Sequence, residues 1–174
     1  DNGYTVSPIN ISPGRKQRLN ENLLLFFTGF SRFSSEIQKS TEAAIKDKTA
    51  QLKEMLALVN EAQEVLVNDK SDLDDFGRLL DTTWSLKRQT GAKISTGSID
   101  ELYEKGIKAG ALGGKLLGAG GGGFLVFYVQ PEKRQAVLAA MRDLLHVPFA
   151  FENGGTQVLY YAPEFYNVEN RREK

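Results

Sequence analysis

Apolar positions along the chain recur with two periods, and their alternation sets out most of the elements. The run Asn22-Leu-Leu-Leu-Phe-Phe-Thr-Gly-Phe30 is apolar on both alternating sets of positions, which predicts a strand covered on both faces and ended by Gly29. Ahead of it, Ser12-Pro13 places a capping hydroxyl before proline and predicts a short helix from Pro13 to Glu21. From Ser34 or Ser35, the residues Ile37, Ala44, Ile45, Leu52, Met55, Leu56, Val59, Ala62 and Leu66 return at helical spacing. They predict the longest helix, with room for one break. Ser71 with Asp74 opens the next helix, with Leu73, Phe76, Leu79, Leu80 and Trp84 on its apolar face and a stop near Thr90-Gly91. Ser98-Ile-Asp-Glu101 reads as a capping box for a helix to about Ala109.

A glycine-rich stretch from Gly110 to Gly123 then empties into a strand from Phe124 to Val129. Pro131 starts a helix with Val137, Leu138, Met141 and Leu144 inward. Val147 to Phe151 and Thr156 to Tyr161 flank Asn153-Gly-Gly155 as a predicted hairpin, and the tail from Glu164 to Lys174 is polar. About four strands, separated by about five helices, predict an α+β sandwich: one helical layer on a mainly antiparallel sheet.

Composition narrows the function classes. The 174 residues fit one domain or one lobe of a larger enzyme. Lys plus Arg and Asp plus Glu both number 22, so net charge gives no reason to expect nucleic acid or an anionic membrane as partner. With no cysteine, disulfide and thiolate chemistry are excluded. The longest apolar runs, Leu23 to Phe27 and Phe124 to Val129, fall far short of the roughly 20 residues that span a bilayer. The expectation is a cytoplasmic protein. Asp1-Asn2-Gly3-Tyr4 reads as a turn continuing an upstream segment, so the expectation is also a fragment, with residues 1–21 as linker and short helix.

The candidate chemistry lies in the glycines. Seven of the 17 fall between Gly113 and Gly123, where bare backbone lets amides converge on one point, as in anion-binding nests. Gly118-x-Gly120-x-x-Gly123 matches the dinucleotide fingerprint in letters, but the strand follows it instead of preceding it. A P-loop is excluded too, because Lys115 stands before the glycines. The plain alternative is a loop that only turns a buried helix into a buried strand.

Lys115-Leu-Leu-Gly-Ala-Gly-Gly-Gly-Gly123 followed by Phe-Leu-Val-Phe resembles the third motif of the GHMP kinases, the superfamily of galactokinase, homoserine kinase, mevalonate kinase and phosphomevalonate kinase. The likeness runs from about Asn22 to Tyr161. Leu-Leu-Leu-Phe-Phe-Thr-Gly-Phe-Ser-Arg and Trp-Ser-Leu-Lys-Arg-Gln resemble D-glycero-D-manno-heptose 7-phosphate kinases most. The resemblance implies a ferredoxin-like C-terminal domain, across residues 1–174, that closes on an N-terminal domain of the same enzyme. It implies ATP-dependent transfer to a sugar or sugar-phosphate hydroxyl, with ATP and Mg²⁺ bound mainly by that other domain. The family's proline- and arginine-containing first motif and its Pro-x-x-x-Gly-Leu-Gly-Ser-Ser-type loop have no counterpart here, and no catalytic base is assigned to this chain.

The candidate phosphate loop is therefore Lys115, Gly118, Ala119, Gly120, Gly121, Gly122 and Gly123. Candidate substrate contacts are Ser31 and Arg32, past a strand end, and Lys87, Arg88 and Lys93 around the turn at Gly91. Each has a plain alternative: helix capping for the serines near Arg32 and solvated charge for the rest. Trp84 reads as core, His146 as structural, and Asp72, Asp74 and Asp75 as first-turn charges. Other acceptors (fucose, galactose, mevalonate), a non-catalytic ferredoxin-like ligand-binding module and a homo-oligomer stay open. The loop reading expects Gly121→Val to impair activity more than the fold.

Overall fold

In a computed structural model, residues 6–30, 48–91 and 94–161 are described. Helix α1 spans Pro13–Asn22 and runs straight into strand β1, Leu23–Phe27. Helices α2 (Thr49–Val67), α3 (Asp74–Gln89) and α4 (Gly97–Lys108) precede strand β2, Gly113–Leu116, and strand β3, Phe124–Tyr128. A 3₁₀ turn at Pro131–Lys133 leads into α5, Arg134–Ala140, and the short strand β4, Leu145–His146. The four strands form one antiparallel sheet in the order β2-β3-β1-β4. That order, with helices intervening between β1 and β2 and between β3 and β4, is the expected α+β ferredoxin-like arrangement.

The register explains where the core sits. Leu24 faces Phe127, Phe26 faces Leu125, and Leu116 also faces Leu125, so these side chains share one face of the sheet. They pack with Trp84, Ile99, Tyr103, Val137 and Met141 from α3, α4 and the α5 region. A second cluster, Leu19, Leu73 and Tyr128, gathers where α1 and the start of α3 meet the sheet. The opposite set on β1, Leu23, Leu25 and Phe27, is half-buried, so the strand is fully covered on one face instead of both. Glycine sets the distance of α3 and α4 from the sheet: a Cβ at Gly106 would lie 2.5 Å from the Phe127 ring, and one at Gly113 2.0 Å from the Gly77 carbonyl oxygen.

Several local expectations change. The α4 cap is Thr96, whose hydroxyl accepts from the Ile99 amide, so the helix starts two residues earlier than a Ser98 cap allows. Ser71 does not cap α3; Asp72 accepts from the Asp74 amide instead. The Ser12 hydroxyl leaves α1 uncapped and donates to Asp69 at 2.8 Å. Helix α2, the longest of the described helices as expected, has no fully buried residue: Leu56 and Val59 are exposed, while Met55, Ala62 and Leu66 are half-buried and Leu66 packs on the second cluster. The expected start of that helix, from Ser34, lies outside the described residues, as does the polar tail from Glu164. Residues 147 to 161 form no hairpin; the only strand near them is β4, which pairs with Phe26 and Phe27 and so has a ready-made sheet edge to join.

One buried charge ties α1 to the end of α2. Arg15, 2% exposed, donates to the carbonyls of Val65, Leu66 and Ser71, the unsatisfied C-terminal end of α2 and the loop beyond it. Replacing it strands those acceptors. Arg15→Met is expected to lower stability by about 3 kcal/mol, read as a fall in the urea midpoint at unchanged m-value.

Candidate functional site

The glycine loop is the tip of a hairpin. Strands β2 and β3 pair directly, and the Leu117 amide donates to the Phe124 carbonyl at 2.8 Å, leaving Gly118 to Gly123 as the connection. The expected loop from Gly110 therefore shortens, because Gly113 to Leu116 is strand. Lys115 stands on that strand and not in the loop.

Three backbone contacts hold the tip. The Thr28 amide donates to the Gly123 carbonyl and the Gly123 amide donates to the Phe30 carbonyl, both at 2.9 Å, extending the β1–β3 ladder past its last strand pair. The Gly121 amide donates to the Ile94 carbonyl at 2.9 Å. Thr28, 4% exposed, adds a side-chain bridge to Gly123, a role its place in the apolar run does not advertise. Its only signal is a hydroxyl residue directly before the strand-ending Gly29.

Packing accounts for part of the glycine density. Gly120, at φ +120°, sits with its absent Cβ 2.8 Å from Ile94 backbone, and Gly122 comes within 2.6 Å of the Phe30 carbonyl oxygen. Gly118 is different: it is exposed, with φ +83° and no atom within 4 Å of a would-be Cβ. Among the described residues, the amides of Gly118, Ala119, Gly120 and Gly122 meet no protein acceptor. The loop therefore divides into an inner side, locked to Ile94 and Phe30, and an outer lip at Gly118 and Ala119 with donors to spare.

The expectation for Gly121→Val changes with this division. Gly121 is buried at φ +73°, so a β-branched residue there strains the backbone whatever binds outside.

Lys87, in the last turn of α3, reaches the lip and donates to the Gly118 carbonyl at 2.6 Å. Burial lowers the pKa of both Lys87 and Lys115, and the Lys115 charge lowers that of Lys87 further. Arg88 turns away. It pairs with Asp100 at 3.2 Å, and its guanidinium lies 5.9 Å from the Trp84 ring centroid and 5.8 Å from that of Tyr103. Asp100 also accepts from the Ser95 hydroxyl at 2.7 Å, so Arg88 knits α3 to α4. Ser31, Arg32 and Lys93 lie outside the described residues.

Trp84 is fully buried in the core. His146 packs 5.5 Å from the Phe26 ring on β4, with its pKa lowered by burial and by Arg134. The first-turn carboxylates do local work: Asp75 pairs with Arg78, and Asp74 accepts from Tyr128 and Gln130. Among the described residues no group of three or more acidic, histidine or cysteine side chains could hold a metal ion. No described helix is long and apolar enough to cross a membrane.

With this geometry in view, comparison with known proteins is decisive. A family profile described as "GHMP kinases C terminal" matches residues 55–147, just over half the chain. The chain belongs to the GHMP kinases. It is similar to D-glycero-alpha-D-manno-heptose 7-phosphate kinase of Campylobacter jejuni, 28% identical over 140 residues, covering 79% of this chain and 40% of that protein. It is also similar to the bifunctional fucokinase/GDP-fucose pyrophosphorylase of Arabidopsis thaliana, 29% identical over 143 residues, covering 79% of this chain and 13% of that protein. Among solved structures, the Methanococcus jannaschii mevalonate kinase superposes with a TM-score of 0.65 at 26% identity, covering 79% of this chain and 42% of the other. The chain thus spans well under half the length of these relatives.

Because the inner side of the loop is packed and the lip is not, alanine should separate them. Gly122→Ala is expected to cost about 1–3 kcal/mol by forcing the Phe30 backbone away, while Gly118→Ala should cost about 1 kcal/mol, the strain of its φ alone. Urea denaturation of both variants measures the difference.

Proposed function

We propose that this chain is the C-terminal half of an ATP-dependent kinase whose acceptor is a heptose phosphate. The observation that carries the reading is the lip of the hairpin: amides at Gly118 and Ala119 that meet no acceptor among the described residues, with the Lys87 ammonium bonded to the Gly118 carbonyl. Donors and positive charge at one point suit a phosphoryl group, and phosphoryl transfer needs positioning and charge stabilisation more than covalent help.

In this reading the nucleotide supplies the phosphoryl group, and an N-terminal domain supplies most of its binding and the base. The residues here orient the substrates. Gly118 to Gly123, held by Ile94, Phe30 and Thr28, present a rigid edge, and the α3 end brings a cation to it. Ser31, Arg32 and Lys93 are proposed from sequence as acceptor contacts, and Arg88 joins α3 to α4 through Asp100. The heptose phosphate acceptor is supported by likeness to the Campylobacter jejuni enzyme over most of this chain.

The test is product analysis with the protein encoded by the whole gene, offered ATP and, in turn, D-glycero-D-manno-heptose 7-phosphate, fucose, galactose and mevalonate. The heptose phosphate should gain one phosphate fastest, and residues 1–174 alone should turn over nothing. Faster phosphorylation of another acceptor would reassign the substrate, and no phosphorylation of any would favour a non-catalytic binding module. Gly118→Asp, which sets a carboxylate on the open lip, is expected to lower kcat/KM by about 100-fold with little change in Tm.

A further inference from the structure

Three successive large side chains near the end of the described residues have no cover: Val158 is 83% exposed, Leu159 95% and Tyr160 78%. Single exposed apolar groups are ordinary on a protein surface, but a run of them in a β-prone segment is not. The backbone is equally bare, since among the described residues no hydrogen bond reaches residues 156–160. In a strand, Val158 and Tyr160 would lie on one face and Leu159 on the other, the two-faced apolar pattern already seen in β1. The outer edge of β4 is a poor partner within this half, being two residues long with Pro148, which lacks an N–H, just beyond it. The root of the segment is nevertheless held, and in a definite direction. Asn20 donates to the Phe149 carbonyl at 3.2 Å and accepts from the Phe151 amide at 3.1 Å; one helical turn earlier, Lys16 donates to the Asn153 side chain at 2.8 Å. Residues 149–153 therefore run back along α1 toward its N-terminal end. The Glu152 carboxylate accepts from the Asn153 and Gly154 amides, and Gly155, at φ +64°, takes the turn beyond them. The segment is thus directed to the end of α1 where residues 6–12 enter, and there Val6 and Ile9 are exposed as well.

We infer that residues 156–161 are a β-strand that this half donates to a sheet edge in the N-terminal half of the same polypeptide, joining the halves by backbone hydrogen bonds. The inference rests on the reading of this chain as the C-terminal half of a longer kinase. Three observations name the partner. The matched region covers 40% of the Campylobacter jejuni relative, so a kinase of that length has most of its residues outside 1–174. The family profile for this half stops at residue 147, and the sheet and core are built without residues 156–161. The contacts with α1 direct the segment to the entering chain, where a tethered half is present at an effective concentration of about millimolar, which favours it over a second copy. Strand addition suits the side chains too. Main-chain bonds supply affinity, while Val158 and Tyr160 on one face and Leu159 on the other fill pockets in alternation.

The experiment uses the protein encoded by the whole gene. Hydrogen exchange read by mass spectrometry should show the amides of residues 157–161 exchanging at least about 100-fold more slowly than an unstructured peptide, the protection of a paired strand. Benzoylphenylalanine in place of Leu159, activated by light, should cross-link within one polypeptide to the N-terminal half. Val158→Asp combined with Leu159→Asp should cut the protection of this segment at least about tenfold, because each carboxylate lands on a covered face, while the amides of β1 and β3 keep theirs. Exchange of residues 157–161 at the rate of an unstructured peptide overturns the inference. So do cross-links to a second molecule, which would make the partner another copy, and cross-links confined to residues 1–174. Protected amides and links to the N-terminal half in a protein that phosphorylates no acceptor keep the strand and remove the kinase reading. Unprotected amides in an active kinase remove the strand alone. Should the aspartate variant fail to fold by circular dichroism, wild-type exchange and the cross-linking still decide.

Discussion

The antiparallel pairing of β1 with β3 is the constraint on which the rest depends. Its five residue pairs run from Leu23–Tyr128 to Phe27–Phe124, and the ladder does not stop there. Thr28 and Phe30 carry it on to Gly123, so the open end of the β2–β3 hairpin is fixed to the strand that starts the domain. A hairpin tip of six residues, rich in glycine, would otherwise sample many conformations. Here the same backbone bonds that build the sheet hold the tip in one of them, and the core beneath, from Leu24 through Phe127 to Trp84, fixes the sheet in turn.

That arrangement divides the glycines by task. Those turned to Ile94 and Phe30 are absent side chains in a packed contact, where a Cβ has no space. Gly118 faces out with space to spare, and its carbonyl rather than its amide is the group the protein itself uses, through Lys87. Preorganised donors aimed outward from a rigid edge are what electrostatic stabilisation of a phosphoryl group requires, and rigidity on the inner side is what keeps them aimed. The cations follow the same logic. Arg88, its guanidinium lying over both Trp84 and Tyr103, is neutralised by Asp100 and serves the packing of α3 on α4, whereas Lys87 reaches the lip and bonds the Gly118 carbonyl.

Much of the fold was legible because its signals are local. Proline after Ser12, the apolar run from Leu23, the stripe from Leu73 to Trp84 and the strand from Phe124 each state an element in a few residues, and the structure places elements there. The failures share a cause. The Thr96 cap won over Ser98 because the preceding loop, anchored by Ile94 to the glycine tip, brings an extended residue to the helix start two residues early. The hairpin expected around Asn153-Gly-Gly155 lost to β4 because an unpaired edge of β1 was available to Leu145 and His146. In each case a contact distant in sequence outweighed a local preference.

By itself the sequence determined that bare backbone and a lysine precede an apolar strand, and that pattern already resembles the third motif of the GHMP kinases. Only the tertiary structure decided which glycines face solvent and which face protein, that Lys115 belongs to a strand, and that Lys87, distant along the chain, closes on Gly118 while its neighbour Arg88 does not. Helical geometry sends adjacent side chains in different directions, and which direction meets the loop depends on how α3 lies against β2. That angle is set by side-chain volumes and missing Cβ atoms across the interface, a property of pairs of segments that no single stretch of sequence contains.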